Sequence, residues 1–173
     1  QHELLQTIDE EADRLNAMVG NLLDLGRLEA QVVTVQQAAV DVGDIVRSAL
    51  ASTPYQRSGI DLDLPDDLPL AAADGALLER ALANLISNAR RYSPETSPVT
   101  VVAVAGETNV AIRIVDHGPG IAPEQRARAF EPFQRLDGPP EVEGVGLGLA
   151  VARGFIDAME GTLAIEDTPG GGT

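Results

Sequence analysis

The sequence predicts an α+β fold, a two-layer α/β sandwich preceded by a long bundle or coiled-coil helix. Three observations carry this expectation. From Glu3 to about Ala30 there is no proline, and apolar residues recur in steps of three and four, the helical period. Beyond it, short Val/Ile/Leu segments and helical segments follow one another in mixed order, with two valine-rich strands set as a hairpin. A chain of 173 residues that is 44% hydrophobic can also fill one ordinary core and carry an appendage.

In the leading helix, Leu5, Ile8, Ala12, Leu15, Val19 and Leu22 form a seam of coiled-coil spacing. A second line, Leu4, Met18, Leu25 and Leu28, widens the stripe beyond what two strands need and suits a bundle. A core helix of a single domain is the competing reading. Against it stands an acidic opposite face of Asp9, Glu10, Asp13 and Asp24. A strand is expected around Val32 to Gln36, then a helix from an N-cap at Asp41 to about Thr53, ended by Pro54. Ile60 to Leu64 alternates apolar and acidic residues like a half-buried strand, and Pro65-Asp66-Asp67 turns the chain towards a short strand near Leu70 to Ala73. Asp74 caps a helix to about Tyr92 whose inner face is Leu77, Leu78, Ala81, Leu82, Leu85 and Ile86, and Ser93-Pro94 stops it. The hairpin is Thr100 to Ala105 and Val110 to Val115; a short helix is expected over Pro123 to Ala129, a long one from Gly146 or Leu147 to Met159, and a last strand over Thr162 to Glu166. One sheet covered on one face by helices accommodates them.

The net charge of −15 argues against nucleic acid or an anionic membrane as partner, because the long-range field repels both. A polyanionic ligand is repelled too, so it has to arrive with its charge neutralised and be held by local donors. All twelve Lys or Arg positions are arginine, which reads as the composition of a GC-rich genome rather than a functional choice. The absence of cysteine excludes disulfides, thiolate metal sites and a cysteine nucleophile. No apolar run approaches the roughly 18 residues of a membrane span, and no signal-peptide pattern is present. Opening on Gln and stopping on a glycine run, the chain reads as a piece of something longer.

Chemistry concentrates between Asp116 and Leu149. Asp116-His117-Gly118-Pro119-Gly120 and Gly144-Val145-Gly146-Leu147-Gly148-Leu149 are two glycine-rich turns around an acidic and aromatic segment. Glycine lets backbone N–H groups approach a phosphate closely, and a helix starting just afterwards adds its positive end. Either motif alone is weak, since the first also occurs in calcium loops and the second in ordinary turns. Upstream, Asn84 and Asn88 lie one helical turn apart and Arg91 shares their face. Two amides and a guanidinium can coordinate a hard cation and pair with phosphate oxygens. Taken alone, a buried or capping pair of asparagines is the more common reading; beside the glycine turns it becomes the minority one.

These residues resemble the catalytic part of sensor histidine kinases, within the wider group of Bergerat-fold ATPases. Asn84-Leu85-Ile86-Ser87-Asn88-Ala89 looks like the N box, Asp116 to Gly120 the first glycine box, Phe130-Glu131-Pro132-Phe133 the F box, Gly144 to Leu149 the second glycine box, and Gly170-Gly171-Gly172-Thr173 the start of the third. Asn21-Leu22-Leu23-Asp24-Leu25 with Arg27-Leu28-Glu29 resembles the second helix of the dimerisation bundle. Wording such as Phe133-Gln134-Arg135-Leu136 and Glu166-Asp167-Thr168-Pro169-Gly170 looks most like the potassium-responsive sensor kinases.

The resemblance implies two units, a partial bundle over residues 1–31 and an ATP-binding domain over 32–173. It implies that Asp116 accepts a hydrogen bond from the adenine amino group, which selects against guanine because guanine presents an oxygen there. Gly118, Gly120 and Ile121 would lie against the base, Asn88 would bind Mg²⁺, Asn84 and Arg91 would serve the triphosphate as the catalytic pair, and Tyr92 the ribose or phosphate side. Gly144, Gly146, Leu147, Gly148 and Leu149 would wrap the phosphates, Arg135 would contact one of them from a lid over 134–145, and Thr173 in the third glycine turn would join the nucleotide-binding set. Where hydrolytic relatives carry a glutamate as general base, this chain has Asn84, which cannot take a proton, so transfer to another nucleophile is favoured over hydrolysis.

His2-Glu3-Leu4-Leu5 is rejected as the phosphoacceptor box, because the Thr-Pro that the family shows after it is missing and His2 shares a helix with Asn21 to Glu29. His117 reads as a spacer. The expectation is a fragment that binds Mg-ATP without holding the histidine it phosphorylates, as monomer or weak dimer, from a homodimeric parent. The implied partners are the parent's own bundle with its phosphoacceptor histidine and a response regulator; the implied location is the cytoplasmic side of an inner-membrane sensor. Two other readings stay open: a hydrolysing clamp ATPase and a catalytically silent nucleotide-binding module.

Overall fold

The computed structural model describes residues 2–53, 59–134 and 145–173; for residues 2–11, 13 and 14 only the helical backbone is described. Among the described residues the elements are α1 (His2–Glu29), β1 (Ala38–Val40), α2 (Val42–Ala51), β2 (Ile60–Asp63), β3 (Ala71–Ala73), α3 (Gly75–Tyr92), β4 (Val99–Ala105), β5 (Val110–Val115), a 3₁₀ turn (Pro123–Gln125), α4 (Arg126–Ala129) and α5 (Gly148–Ala158).

The expected helix caps form as the sequence suggests. Asp41 accepts the Asp44 amide at 3.0 Å to start α2. Asp74 accepts the Ala76 and Leu77 amides to start α3, and its other oxygen takes the Gln36 amide at 2.8 Å. That last contact explains a correction. The first strand is Ala38–Val40, not Val32 to Gln36, because Gln36 is consumed by the Asp74 cap and the register is set by Ala38 opposite Ala73. The α2 helix ends at Ala51, where the Ser52 and Thr53 hydroxyls donate back to Ala49 and Leu50 carbonyls; Pro54, the expected breaker, lies outside the described residues.

The strands fall into two ladders rather than one sheet. β1 and β3 pair antiparallel, while β4 is central in a three-stranded sheet, parallel to β2 and antiparallel to β5. Alternation along β4 puts Val99, Val101 and Ala103 inward at 0–1% exposure, against Val42, Val46 and Leu50 of α2 and Leu82, Ile86 and Ala89 of α3. Residues Thr162 to Glu166 form no strand. Their carbonyls are taken by side chains instead: Leu163 accepts from Arg153 at 2.9 Å and Ile165 from Arg126 at 3.3 Å.

A second cluster joins Ala81 of α3, Val151, Ala152 and Phe155 of α5, and Leu25 and Leu28 of α1. The second apolar line of α1 is thus the one that docks. Of the expected seam, Leu15, Val19 and Leu22 are exposed, at 62%, 50% and 38%; its earlier members lie outside the described side chains or, like Ala12, are exposed. Asp24 departs furthest from expectation. It is 2% exposed rather than on a solvent face, ion-paired to Arg80 of α3, whose guanidinium also sits 5.7 Å from the centre of the Phe155 ring. Burial pushes its carboxyl above the usual range, although Arg80 and Arg27 pull it down. The reason is spacing: Asp24 is adjacent to Leu25 and one turn before Leu28, so it enters the domain with the docking line.

Candidate nucleotide site

α3 has two working faces. Leu78, Leu82, Ile86 and Ala89 are buried, while Asn84, Asn88, Arg91 and Tyr92 are only partly buried. Among the described residues no side chain or backbone group hydrogen-bonds the side chains of Asn84, Asn88 or Arg91. Partly buried amides without a protein partner are free to serve a ligand.

The start of α5 faces Asn84. A Cβ placed on Gly148 would stand 3.8 Å from the Asn84 carboxamide oxygen, so the two elements are in contact distance of one another. Leu147 occupies the N-cap position, is 2% exposed and offers no side-chain acceptor. The first intrahelical bond is donated by Val151 to Leu147, which leaves the amides of Gly148, Leu149 and Ala150 without a helical acceptor, beside the positive end of the helix. Gly146, at φ +72, is needed there: a Cβ would meet the Gln134 carbonyl at 2.4 Å, and the Gly146 carbonyl accepts the Phe133 amide at 3.0 Å. Gly144 and Arg135 lie outside the described residues.

Asp116 stands at the end of β5 with its two carboxylate oxygens in different states. Oδ1 accepts the amides of Gly118 at 2.8 Å and Thr173 at 3.2 Å, and the Asp116 amide donates to the Thr173 carbonyl at 2.7 Å. Among the described residues Oδ2 has no partner, so one oxygen orients the group and the other is available. The turn is close-packed backbone. A Cβ on Gly118 would come within 2.7 Å of the Tyr92 carbonyl, and one on Gly172, at φ +106, within 2.1 Å of the Asp116 carbonyl. Gly120, at φ +74, faces Gly172 in the same way. Ile121 is partly buried, and its carbonyl accepts from Arg126 at 3.2 Å. His117 is exposed, in keeping with a spacer.

The structure therefore brings the α3 face, the turn after β5, the start of α5 and Thr173 to one region of the fold. Sequence reasoning missed the residues that hold these parts. Arg126 ties Ile121 to Ile165 and Asp167; Arg153 lies 5.0 Å from the centre of the Phe130 ring while holding Asp157 and Leu163. Reading the arginines outside the boxes as composition hid them. Among the described residues no group of three or more His, Cys, Asp or Glu could hold a metal ion; the unpartnered side-chain oxygens of Asn84 and Asn88 stand as candidate donors. That set suits Mg²⁺, which keeps most of its water and the phosphates it chelates.

Comparison with known proteins follows this geometry. Residues 73–173 match the family described as histidine kinase-, DNA gyrase B-, and HSP90-like ATPase. The chain is 46% identical over 98% of its length to the sensor protein KdpD of Mycobacterium tuberculosis (strain ATCC 25618 / H37Rv) and 35% identical over 90% to that of Escherichia coli (strain K12). It spans only 20% and 17% of those proteins. The full-length ShkA structure in complex with AMPPNP superposes with a TM-score of 0.70 at 31% identity, covering 95% of this chain and 36% of that one. With uncapped helix amides, a half-tethered carboxylate and free asparagines meeting on this mixed fold, the chain belongs to the histidine kinase-, DNA gyrase B-, and HSP90-like ATPase family, close to KdpD and other sensor histidine kinases.

Proposed function

We propose that this chain binds ATP as its Mg²⁺ chelate and, within its parent protein, directs the γ-phosphoryl group to a histidine on a bundle helix. The observation that carries the reading is the division of labour at Asp116, where Oδ1 is held by two amides and Oδ2 is left to accept the adenine amino group. Guanine would set its carbonyl oxygen against that carboxylate and be rejected. Gly118, Gly120 and Ile121 line the base; Tyr92 serves the ribose side. Asn84, Arg91 and the amides of Gly146, Leu147, Gly148 and Leu149 take the phosphates, with Gly144 and Arg135 joining them by family resemblance. The free Asn88 oxygen holds the metal, whose charge neutralises the phosphates when bound.

The site works by positioning. The γ-phosphorus leaves the β–γ bridging oxygen and bonds to an imidazole nitrogen, ADP departs, and the imidazole proton passes to solvent. Asn84 orients but cannot deprotonate water, which favours transfer over hydrolysis. A response regulator's aspartate then takes the phosphoryl group. In the same reading residues 1–31 belong to a dimerisation bundle, residues 32–173 form the catalytic domain, the parent is a homodimeric inner-membrane sensor of the potassium-responsive kind with this part on the cytoplasmic side, and nucleic acid is not a partner. The chain itself shows no helix, among the described residues, long and apolar enough to cross a membrane.

Titration calorimetry with Mg-ADP, followed by transfer from labelled ATP to a supplied bundle carrying its histidine, tests the proposal. Saturable binding with label on the histidine is expected. Free phosphate release without transfer indicates a hydrolase, and no binding indicates a silent module.

A further inference from the structure

The base-reading turn and the phosphate-facing helix meet at a residue to which nothing above gives a role. Ser93 is the C-cap of α3 and is 8% exposed. All three of its polar groups are engaged, the amide and carbonyl with α3 itself and the hydroxyl with the turn after β5. Its amide donates to Ala89 at 3.0 Å, its carbonyl accepts from Arg90 at 3.3 Å, and its Oγ accepts the His117 amide at 3.3 Å. Beside it, the Tyr92 carbonyl sits so close to Gly118 that no Cβ fits between them. His117 is the residue after Asp116, and Ser93 is two residues after Arg91 and five after Asn88 on the end of a rigid helix.

We propose that Ser93 is a positioning residue for the nucleotide site: by accepting the His117 amide it sets the span between Asp116, which reads the base, and the Asn84, Asn88 and Arg91 face, which takes the phosphates. This rests on the nucleotide reading above and adds to it the element that matches the site to the length of an adenine nucleotide. A ligand gripped at both ends gains from the second grip only when the distance between grips is held before it arrives. Among the described residues Oγ makes the side-chain hydrogen bond that links α3 to the turn, whereas the close approach of Gly118 to the Tyr92 carbonyl is a steric stop. It limits approach without preventing separation.

The test uses Ser93→Ala, Ser93→Cys and Ser93→Thr with three probes: Mg-ADP, adenosine and Mg-tripolyphosphate. Losing one neutral hydrogen bond should weaken Mg-ADP about fivefold in Ser93→Ala. Adenosine and Mg-tripolyphosphate, each using one grip, should stay within about twofold, while Thr restores Mg-ADP binding through its hydroxyl and Cys, a weak acceptor, falls between. The His117 amide lies on an exposed turn that water can reach, so the alanine variant should fold; if it does not, the Cys and Thr variants decide the matter. A uniform loss for all three probes, an unchanged Mg-ADP affinity, or a threonine that fails to restore it overturns the role of Ser93. A parent chain that binds none of the probes overturns the nucleotide reading itself, and this inference with it.

Discussion

Replacing Arg80 by alanine should loosen α1 more than replacing its partner Asp24 does, and the asymmetry can be worked from exposure. The Arg80 side chain is 46% exposed whereas that of Asp24 is 3% exposed. Removing Asp24 leaves a guanidinium that water can reach, so Asp24→Ala should cost about 1 kcal/mol, as for a solvated pair. Removing Arg80 strands a carboxylate away from water, which for a fully isolated buried charge costs about 3–5 kcal/mol. Arg27, whose guanidinium is 3.9 Å from the same carboxylate, remains and reduces this. About 2–3 kcal/mol is therefore expected for Arg80→Ala, part of it from the lost packing on Phe155. Replacing both residues by leucine should be close to neutral, because the desolvation and the attraction disappear together. The folded carboxyl is raised above its ordinary value, so its contribution to stability is fully present below that ordinary value and is lost as pH rises through the folded one. In Arg80→Ala this window extends further upward, and the deficit at neutral pH should shrink on mild acidification. Urea denaturation at several pH values, with hydrogen exchange read at residues 25–29, measures both effects. An Asp24→Ala chain as damaged as Arg80→Ala at neutral pH, or an Arg80→Ala deficit indifferent to pH, would refute the reasoning.

Four further outcomes follow from the same geometry. Asp116→Asn can keep its oxygen at the Oδ1 position, but then aims an amide donor at the adenine amino group; calorimetry should show Mg-ADP affinity reduced by about 1.5–3 kcal/mol, and an unchanged affinity would remove Asp116 from the base site. In Asn88→Ala the gap between affinities measured with Mg²⁺ and with EDTA should close, and a gap equal to the parent's would sink the metal assignment. A Cβ at Gly154 would meet Leu28 at 2.6 Å, so Gly154→Ala should displace α1 at a cost of about 1–3 kcal/mol, seen as faster exchange in residues 25–29 with Mg-ADP binding retained. Three amides, that of Gln36 foremost, hold the Asp74 carboxyl below its ordinary value, so its contribution is present above that value and lost as pH falls through the folded one; Asp74→Ala should cost about 1–2 kcal/mol near pH 7 and less in acid, measured by thermal unfolding.

Local signals made much of this fold legible. The α2 and α3 starts were readable because Asp41 and Asp74 cap through contacts two or three residues away, and the hairpin because both valine-rich strands and their loop lie within one short stretch. Asn84, Asn88, Arg91, Asp116 and the glycine turns could be grouped as a candidate site because one helical turn or one tight loop fixes their spacing and the order of the boxes matches a family. The misplaced elements depended on distant partners. Residues 162–166 have the composition of a strand, yet Arg126 and Arg153 take two of their carbonyls; Ala38–Val40 is a strand because β3 is there to pair with it.

Sequence alone determined which residues to group as a candidate site, since glycine, amide and carboxylate groups and the spacings that a helix or turn enforces are written in it, and the family resemblance supplied their expected roles. Tertiary structure alone decided what holds them at a common site and which face of α1 docks. Asp24 looked like one more acid on a solvated face until Arg80, 56 positions on, gave it a buried partner, and Ser93 looked like a helix stop until the His117 amide arrived 24 residues later. Burial and long-range pairing are properties of the packed chain, and no local period encodes them.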